Sequence, residues 1–430
     1  MSGSERQVSL PERATAARVR LGDRVEVTMG RQRSPRHIDG EHVIPYLRAA
    51  NVKDGELALD SVLSMNFSPA EQKKYALRRG DVLVTEGCGS LGQIGASAQW
   101  TEELAGPVAF QNTLLRLRAI EGLSDAGFVY QWARWAFRLG AFADAASGTS
   151  IFHIGAKRAA EMQFPDVPLA QQRRIGHVLE AVDAAEDAHA LRRTQSWKLL
   201  DRMIDTLLTE PTWPTRRLDE VAEVGGGITK GRRSGETRTL PYLRVANVQH
   251  GRLDLADVRE IEATKAEIER HRLESGDVLL LEGGNKEDVG RGWLWSGEIE
   301  PCLHQNHLHR ARPKLDLVDP RFLAYAICRR EARTYCLINA KQTSNLATIN
   351  RTQIAALPVR VPPLSDQIRA VALLDAIRSD YEAVVTAIQR LRQLRDGLLT
   401  TLFSGAHEIP RSYDVLLADA HDTVREPLAV

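Results

Sequence analysis

One stretch of this chain occurs twice. Ile44 to Gly87, opening IPYLRAANV and closing GDVLVTEG, returns as Leu240 to Gly283, opening LPYLRVANV and closing GDVLLLEG. The two copies align over 44 residues without a gap, at an offset of 196, and 20 positions are identical. These include Pro45/Pro241, Tyr46/Tyr242, Arg48/Arg244, Asn51/Asn247, Gly55/Gly251, Gly80/Gly276, Asp81/Asp277 and Glu86/Glu282. A period of roughly 20–50 residues would build a solenoid, whereas one this long exceeds an ordinary domain and implies two similar units, each with its own core. With 430 residues, 43% of them hydrophobic, the chain has material for two or three cores.

Outside the repeat, each unit opens alike. VRLGDRVEVTMGRQR alternates apolar and polar residues as a strand does, then meets Gly30 and a basic loop, and RRLDEVAEVGGGITKGRRSG repeats the arrangement with Gly225 to Gly227. Within the shared block, PYLRAANV and GDVLVTEG read as strands. The stretch between them reads as a short helix capped by Ser68 in one copy and Thr264 in the other. Gln111-Asn112 stands opposite Gln305-Asn306, followed by helices expected over Asp125–Ala143 and Asp319–Leu337, then Thr149-Ser150 opposite Thr343-Ser344. The units close near Pro165 and Pro358.

Two long amphipathic stretches follow them. From Leu364 to Leu402, apolar residues recur every three or four positions with no proline, which specifies one helix, and Leu169 to Leu208 is its counterpart with a more polar middle at Glu186, His189 and Arg193. Each helix should measure about 60 Å, and two such stripes can bury themselves against each other. The expected fold is therefore α+β, two similar domains alternating with two long helices that pack as an antiparallel, coiled-coil-like pair. The implied layout is a lead-in over 1–18, units over 19–165 and 211–360, helices over 166–210 and 361–405, and a tail over 406–430, disordered in part or docked on a partner.

Composition narrows the function less. Lys plus Arg is 57 and Asp plus Glu is 56, so the net charge of +1 carries no global sign of nucleic-acid binding, although the first 39 residues are basic and the tail is acidic. Cys88, Cys302, Cys328 and Cys336 lack metal or disulfide spacing, and no apolar run approaches a signal peptide or membrane span, so a reducing cytoplasm is expected. Gly87-Cys88-Gly89-Ser90-Leu91-Gly92 matches a dinucleotide-loop pattern, but no helical sequence follows and its duplicate lacks the pattern, which favours a hairpin loop. Cys302, His304, His307 and His309 would face both sides of one strand, which is unsuited to a tetrahedral ion. Glu71-Gln72-Lys73 lacks the acidic partner of a nuclease motif, and the sequence contains neither a phosphate loop nor an amino-methyltransferase signature.

The order of these blocks resembles the specificity subunit of type I restriction-modification systems. The resemblance rests on the paired PYLR-x-A-N-V, GDVL-x-x-EG and QN blocks, and on VPLAQQRRI and VPPLSDQIRA at the helix starts, with Gln172 and Gln367 at matching places. It implies that each unit is a target-recognition domain, that the helices space the units and bind methyltransferase subunits, two of them, and that the chain has no catalytic activity and no cofactor. S-adenosylmethionine, ATP and magnesium would belong to the methyltransferase and restriction/translocase partners. An antiparallel helix pair would give the units the two-fold symmetry of duplex DNA and separate two half-sites by about one turn, ~34 Å. A specificity subunit of another methyltransferase-based defence system and a non-DNA protein-binding adaptor are the rival readings.

If the units read different half-sites, bases should be met where the copies differ and phosphates where they agree. That logic selects Arg31, Gln32, Arg33 and Arg36 in the first unit, and Lys230, Arg232, Arg233, Asn285 and Lys286 in the second, with phosphate contact alone as the equal alternative for these side chains. Arg48, Asn51, Arg244 and Asn247 either hold phosphates or satisfy buried backbone, and Lys53 is a further DNA-binding candidate. On the helices, Leu179, Val182, Leu200, Met203, Ile377, Tyr381, Ile388 and Leu391 are the candidate partner-binding positions.

Overall fold

The computed structural model describes residues 17–34, 38–148, 152–343 and 346–417. They form two compact units, one made of residues 1–188 and 388–430, the other of 189–387. The long helices, Leu169–Leu207 and Leu364–Phe403, each contribute one half to either unit.

In the first unit a four-stranded antiparallel sheet runs in the order Val25–Met29, Leu114–Ala119, Val82–Thr85, Ser97–Gln99. The sheet is apolar on both faces. Val82, Val84, Leu115 and Leu117 join Phe128 and Trp132 of the helix Ala126–Arg138 in one cluster, while Leu83 and Leu114 point the other way, to Leu47, Trp100 and Phe110. That is the period-two alternation of a strand, with both sets buried. A second sheet pairs Val43–Leu47 in parallel with Ala109–Phe110 and antiparallel with Leu63–Asn66. The second unit repeats both sheets in the same order. Ala222–Gly226, Leu308–Pro313, Val278–Leu281 and Gly292–Leu294 form one, and Leu303–His304, Thr237–Leu243 and Arg259–Thr264 the other.

The identical residues build this frame. Gly80 and Gly276 turn the chain at φ +91° and +98°, where an L side chain is strained, and deliver the next aspartate into the sheet. Asp81, 1% exposed, accepts from the Arg78 amide at 2.7 Å and takes Arg118 through both Nε and Nη2 at 2.7 Å. Asp277 does the same with the Glu274 amide at 2.8 Å and with Arg312 at 2.8 and 2.9 Å. A bidentate charged pair with every carboxylate oxygen satisfied offsets the desolvation of a buried acid.

The expected helices after the QN blocks are each broken in two. Gly140, at φ 75°, ends Ala126–Arg138 and a short helix Ala141–Ala145 follows, while extended Arg329 separates Pro320–Cys328 from Arg330–Asn339. Arg329 is held there by Thr209 at 2.9 Å and Glu331 at 3.0 Å.

Each unit is fastened to a long helix by one buried glutamine. The Gln172 side chain accepts from the Asp125 amide at 3.0 Å and donates to the carbonyls of Leu123 and Val167 at 3.2 and 2.7 Å. Gln367 accepts from the Asp319 amide at 2.8 Å and donates to Leu317 and Pro362 at 2.9 and 2.8 Å. Asp125 and Asp319 are the N-caps of the helices that cover the sheets, so the staple joins helix start to helix start.

The long helices pack against each other, and their halves run antiparallel within each unit. In the first, Asp183 meets Arg395 at 2.5 Å and Glu186 meets Arg392 at 2.6 Å; in the second, Ser196 and Arg192 reach Asp380, and the Trp197 and Tyr381 rings lie 5.3 Å apart. Glu186 of the polar middle of the central helix is thus ion-paired, as are Asp183 and Arg192 beside it. Its apolar stripe does not serve helix–helix packing alone. Ile175 and Leu179 enter the first unit's core beside Leu399, Leu402 and Phe403, while Leu200, Ile204 and Leu208 enter the second beside Val371 and Leu374.

Over its described part, residues 406–417, the tail is held to the first unit. Ile409 is buried, Arg174 binds Asp414 through Nε and Nη2 at 2.6 and 2.7 Å, and His177 meets the Tyr413 hydroxyl at 3.0 Å. Residues 1–16 and 418–430 lie outside the described residues.

Replacing Gln172 or Gln367 by leucine strands an amide and two carbonyls in the interior, at about 1–3 kcal/mol per group, less what water can reach. Each variant should lose roughly 3 kcal/mol, in the unit that carries it; urea unfolding followed by hydrogen exchange assigns the loss to a unit, and an unchanged profile would remove the staple from the account.

Candidate nucleic-acid interface

Both basic loops leave their sheets at the same corner. Gly30 and Gly227 lie so close to the QN turn that a Cβ would stand 2.2 Å from the carbonyl oxygens of Gln111 and His304. The Arg31 amide donates to Phe110 at 3.0 Å and the Asn112 amide back to Arg31 at 3.0 Å; Ile228 to His304 at 2.8 Å and Asn306 to Ile228 at 2.9 Å repeat the exchange. Gln111 and Gln305 donate their amides to Leu47 and Leu243, the last residues of the PYL strands, at 2.8 and 2.9 Å. The QN block is therefore the knot that ties basic loop, PYL strand and sheet together.

A short helix pins the loop from its far side. Pro69–Tyr75 and Lys265–His271 begin with reciprocal capping boxes, Ser68 with Glu71 and Thr264 with Glu267. The same glutamates then take an arginine from the loop, Arg31 Nε to Glu71 at 2.8 Å and Arg233 Nη2 to Glu267 at 3.3 Å. Arg31 also donates to the Asn66 carbonyl and lies 4.9 Å over the Phe67 ring, and Arg233 donates to the Gly231 carbonyl at 2.6 Å. Both guanidiniums are committed inside the chain, so Arg31 and Arg233 anchor the loops rather than present a free cation. Glu71 of the Glu-Gln-Lys sequence has the same architectural role.

The shared polar residues resolve in favour of buried backbone. Asn51 accepts from the Arg48 amide at 3.1 Å and donates to Ala58 and Ser61 at 2.8 and 3.1 Å; Asn247 accepts from Arg244 at 2.8 Å and donates to Asp254 and Asp257 at 2.8 and 3.1 Å. Both are 2% exposed, which removes them as contacts. Arg244 holds Asp257 at 2.8 Å, and Arg48 is half-buried beside the Asn51 turn. Lys53 is exposed on the Val52–Leu57 hairpin, whose Asp54 ties to Arg134 and Arg138 of the covering helix, so it belongs to a different corner from the Arg31 loop. Gln32, Arg33, Lys230, Arg232, Asn285 and Lys286 are exposed, the last two on the strand and turn Gly283–Lys286. Arg36 lies outside the described residues, as do Thr149, Ser150 and Ser344.

On the helices, Leu179, Leu200 and Ile388 are buried at 0%, 0% and 3% exposure in the chain's own packing, which corrects their assignment to a partner surface. Val182, Met203, Ile377, Tyr381 and Leu391 are half-buried. The most exposed apolar side chains on these helices are others, Leu191, Leu199, Ile368, Leu373 and Leu394, at 43–61% exposure. Helical spacing alone marks both sets as apolar; which of them faces solvent depends on the two different surfaces each helix already covers.

The loop at Gly87 closes a hairpin. Gly87–Cys88 pairs with Phe152–His153, a 3-10 turn Leu91–Gln93 follows, and the chain returns as Ser97–Gln99 beside Val82–Thr85. The CLHQNHLHR histidines diverge. His304 is buried and donates Nδ1 to the His271 carbonyl at 3.0 Å, His309 meets the Ile349 carbonyl at 3.0 Å, and His307 is exposed beside Glu282. Burial pushes the Cys302 thiol up to about 12 and the His304 imidazole down to about 3.

In the comparisons, no family model matches the chain. It is 26% identical over 389 residues to the type I restriction enzyme EcoKI specificity subunit of Escherichia coli K12, covering 84% of this chain and 82% of that one. It is 22% identical over 404 residues to the StySPI specificity subunit of Salmonella potsdam, covering 88% and 85%. A Methanocaldococcus jannaschii chain named as an MjaX specificity subunit is 25% identical over 197 residues, so that this chain spans about half, 45%, of its length. Among solved structures, the S subunit of the M. genitalium type I system superposes with a TM-score of 0.55 at 14% identity, and a chain from a type I R-M complex with 0.56 at 18%, each covering 92% of this chain and 98% of the other. The fold is that of type I S subunits, and the sequence is similar to specificity subunits over most of its length.

Two stability predictions separate frame from surface. Asn247→Ala leaves an amide and two carbonyls unsatisfied and should cost roughly 2 kcal/mol or more, while Arg232→Ala and Lys286→Ala should stay within about 0.5 kcal/mol, as read by denaturant midpoints. For His304, the unfolded imidazole titrates near ~6.5 and the folded one only at about 3. As pH falls below 6.5 the unfolded chain takes up a proton that the folded site refuses, so stability is lost from there down to about 3. The first unit has Phe110 in this place, so the second unit alone should gain acid resistance at pH 5 from His304→Gln; equal pH profiles for parent and variant would contradict the buried neutral imidazole.

Proposed function

We propose that this chain is the DNA specificity subunit of a type I restriction-modification complex, and that it directs adenine methylation and restriction by partner subunits to a bipartite target in double-stranded DNA. The observation that carries this reading is the repetition of one loop-bearing unit on two long helices, in a chain similar to the EcoKI and StySPI specificity subunits over more than four fifths of its length. Each unit, with boundaries near 19–165 and 211–360, reads one half-site. The exposed residues of the basic loops, Gln32, Arg33, Lys230 and Arg232, together with Asn285 and Lys286, face base edges and phosphates, arginine pairing with guanine and asparagine or glutamine with adenine. They sit where the copies differ, as two different half-sites require.

Chemistry resides in the partners. Two methyltransferase subunits, carrying S-adenosylmethionine, dock on the long helices, and the exposed Leu191, Leu199, Ile368, Leu373 and Leu394 are the side chains that such a docking would cover. A restriction/translocase subunit supplies ATP hydrolysis with magnesium, in a cytoplasmic assembly.

The test is to co-express the chain with its neighbouring methyltransferase in a methylation-free host and map modified adenines across the genome. The expected result is a two-part motif with a fixed gap, of which exchange of residues 19–165 for those of another specificity subunit alters one half only. A stable complex that leaves the genome unmodified would defeat the reading and favour a protein-binding adaptor.

A further inference from the structure

The two units share one feature at the loop corner that their sequences do not share. Glu86 and Glu282 are identical in the repeat, and each ends the central strand of its sheet next to the QN turn, with its amide on the carbonyl of Thr113 at 2.9 Å and of His307 at 3.0 Å. Each carboxylate holds a histidine. Glu86 Oε2 meets His153 Nδ1 at 3.1 Å, and Glu282 Oε2 meets His307 Nδ1 at 2.7 Å. The histidines come from unrelated places. His153 is carried by the strand paired with Gly87–Cys88, far along the chain, whereas His307 follows Gln305-Asn306 directly. In the first unit the residue corresponding to His307 is Thr113, whose hydroxyl accepts from the Ala49 amide. The pair is thus built twice by different routes at one site of the fold.

Its surroundings give it a direction. The Glu86 side chain is 7% exposed and the His153 side chain 53%; for Glu282 and His307 the values are 30% and 55%. In each pair the carboxylate lies deeper and the ring stands outside it. Neither Nε2 has a hydrogen-bond partner among the described residues. One residue away, the Asn112 and Asn306 amides bind the carbonyls of Arg31 and Ile228 at the root of the basic loops. A carboxylate at the root of a loop that meets a polyanion repels it. The ring covers that charge, with Nδ1 on the carboxylate and Nε2 turned outward, where the Nε2–H of a doubly protonated ring would donate to an anion.

We propose that His153 and His307 are DNA phosphate contacts, one per half-site, with Glu86 and Glu282 as their positioning residues. This inference rests on the reading of the chain as a DNA specificity subunit and adds two contacts to it. A feature present in both units, whatever half-site each reads, belongs to the sequence-independent part of the grip, which in duplex DNA is the phosphate backbone.

The measurement is the salt dependence of target binding by the assembled complex with its methyltransferase, using a labelled duplex that carries the mapped motif, for the parent and for His153→Leu, His307→Leu and the double variant. Losing one phosphate contact should lower the slope of log K against log salt by about 0.9 and weaken binding roughly three- to tenfold at 0.15 M salt, alike on target and on unrelated DNA. The methylated motif should stay the same. Glu86→Gln and Glu282→Gln, which keep an oxygen for Nδ1–H but replace a charge-assisted hydrogen bond by a weaker neutral one, loosen the ring and should give part of the same loss. A parent complex that binds its motif, beside histidine variants of identical slope, overturns the inference while leaving the specificity role intact. A parent that prefers no sequence overturns the role itself. A changed motif would make the histidines base readers and overturn the phosphate assignment.

Discussion

Two buried glutamine side chains decide what this molecule can be. Apolar packing alone leaves a helix free to slide or roll by fractions of a turn against the sheet domain that it covers. Gln172 and Gln367 remove that freedom. Each makes three hydrogen bonds, to the cap of the helix that covers the sheet, to the loop before it and to the turn that opens the long helix. Because the bonds are directional and buried, any other register leaves polar groups without partners, which costs more than the net gain of making them.

The same economy of means recurs at smaller scale. Asp81 and Asp277 lock a turn to a strand, Asn51 and Asn247 close a loop on its own carbonyls, and Glu71 and Glu267 serve a helix cap and a loop arginine together. Nearly all the charge that survives duplication is spent inside the chain. What is left to differ is the exposed remainder of the basic loops and the Gly283–Lys286 turn. Divergence there leaves the frame untouched, since none of those side chains carries its hydrogen bonds.

Much of the architecture was legible in the residues alone because repetition reports topology directly: a gapless 44-residue alignment requires the same strands in the same order. The long helices were legible from their period, and the capping boxes from Ser68 and Thr264. The candidate site was less legible. Arg31 and Arg233 look like free cations in a loop, and only the fold shows Glu71 and Glu267 waiting for them, because their partners lie in a separate element. Leu179 and Leu200 look like any other apolar helix position, since periodicity gives a face but not what covers it. The Glu–His pairs left no signal at all: two histidines at unrelated positions reach equivalent carboxylates only after folding.

The division of the chain between the units has a consequence in time. The second unit is one continuous run, residues 189–387, whereas the first begins before it and is completed by residues 388–430 after it. On a ribosome adding roughly 5–20 residues per second, the half that is made first must wait until the whole of the second unit has been made. Leu399, Leu402, Phe403 and Ile409, which fill the first unit's core, emerge only after it. The N-terminal half therefore spends the longest interval of synthesis with an open core, and the late-made half can close before it. A stop codon between residues 391 and 402 would not trim the molecule at its edge. It would release a polypeptide whose second half is complete and whose first half has no floor.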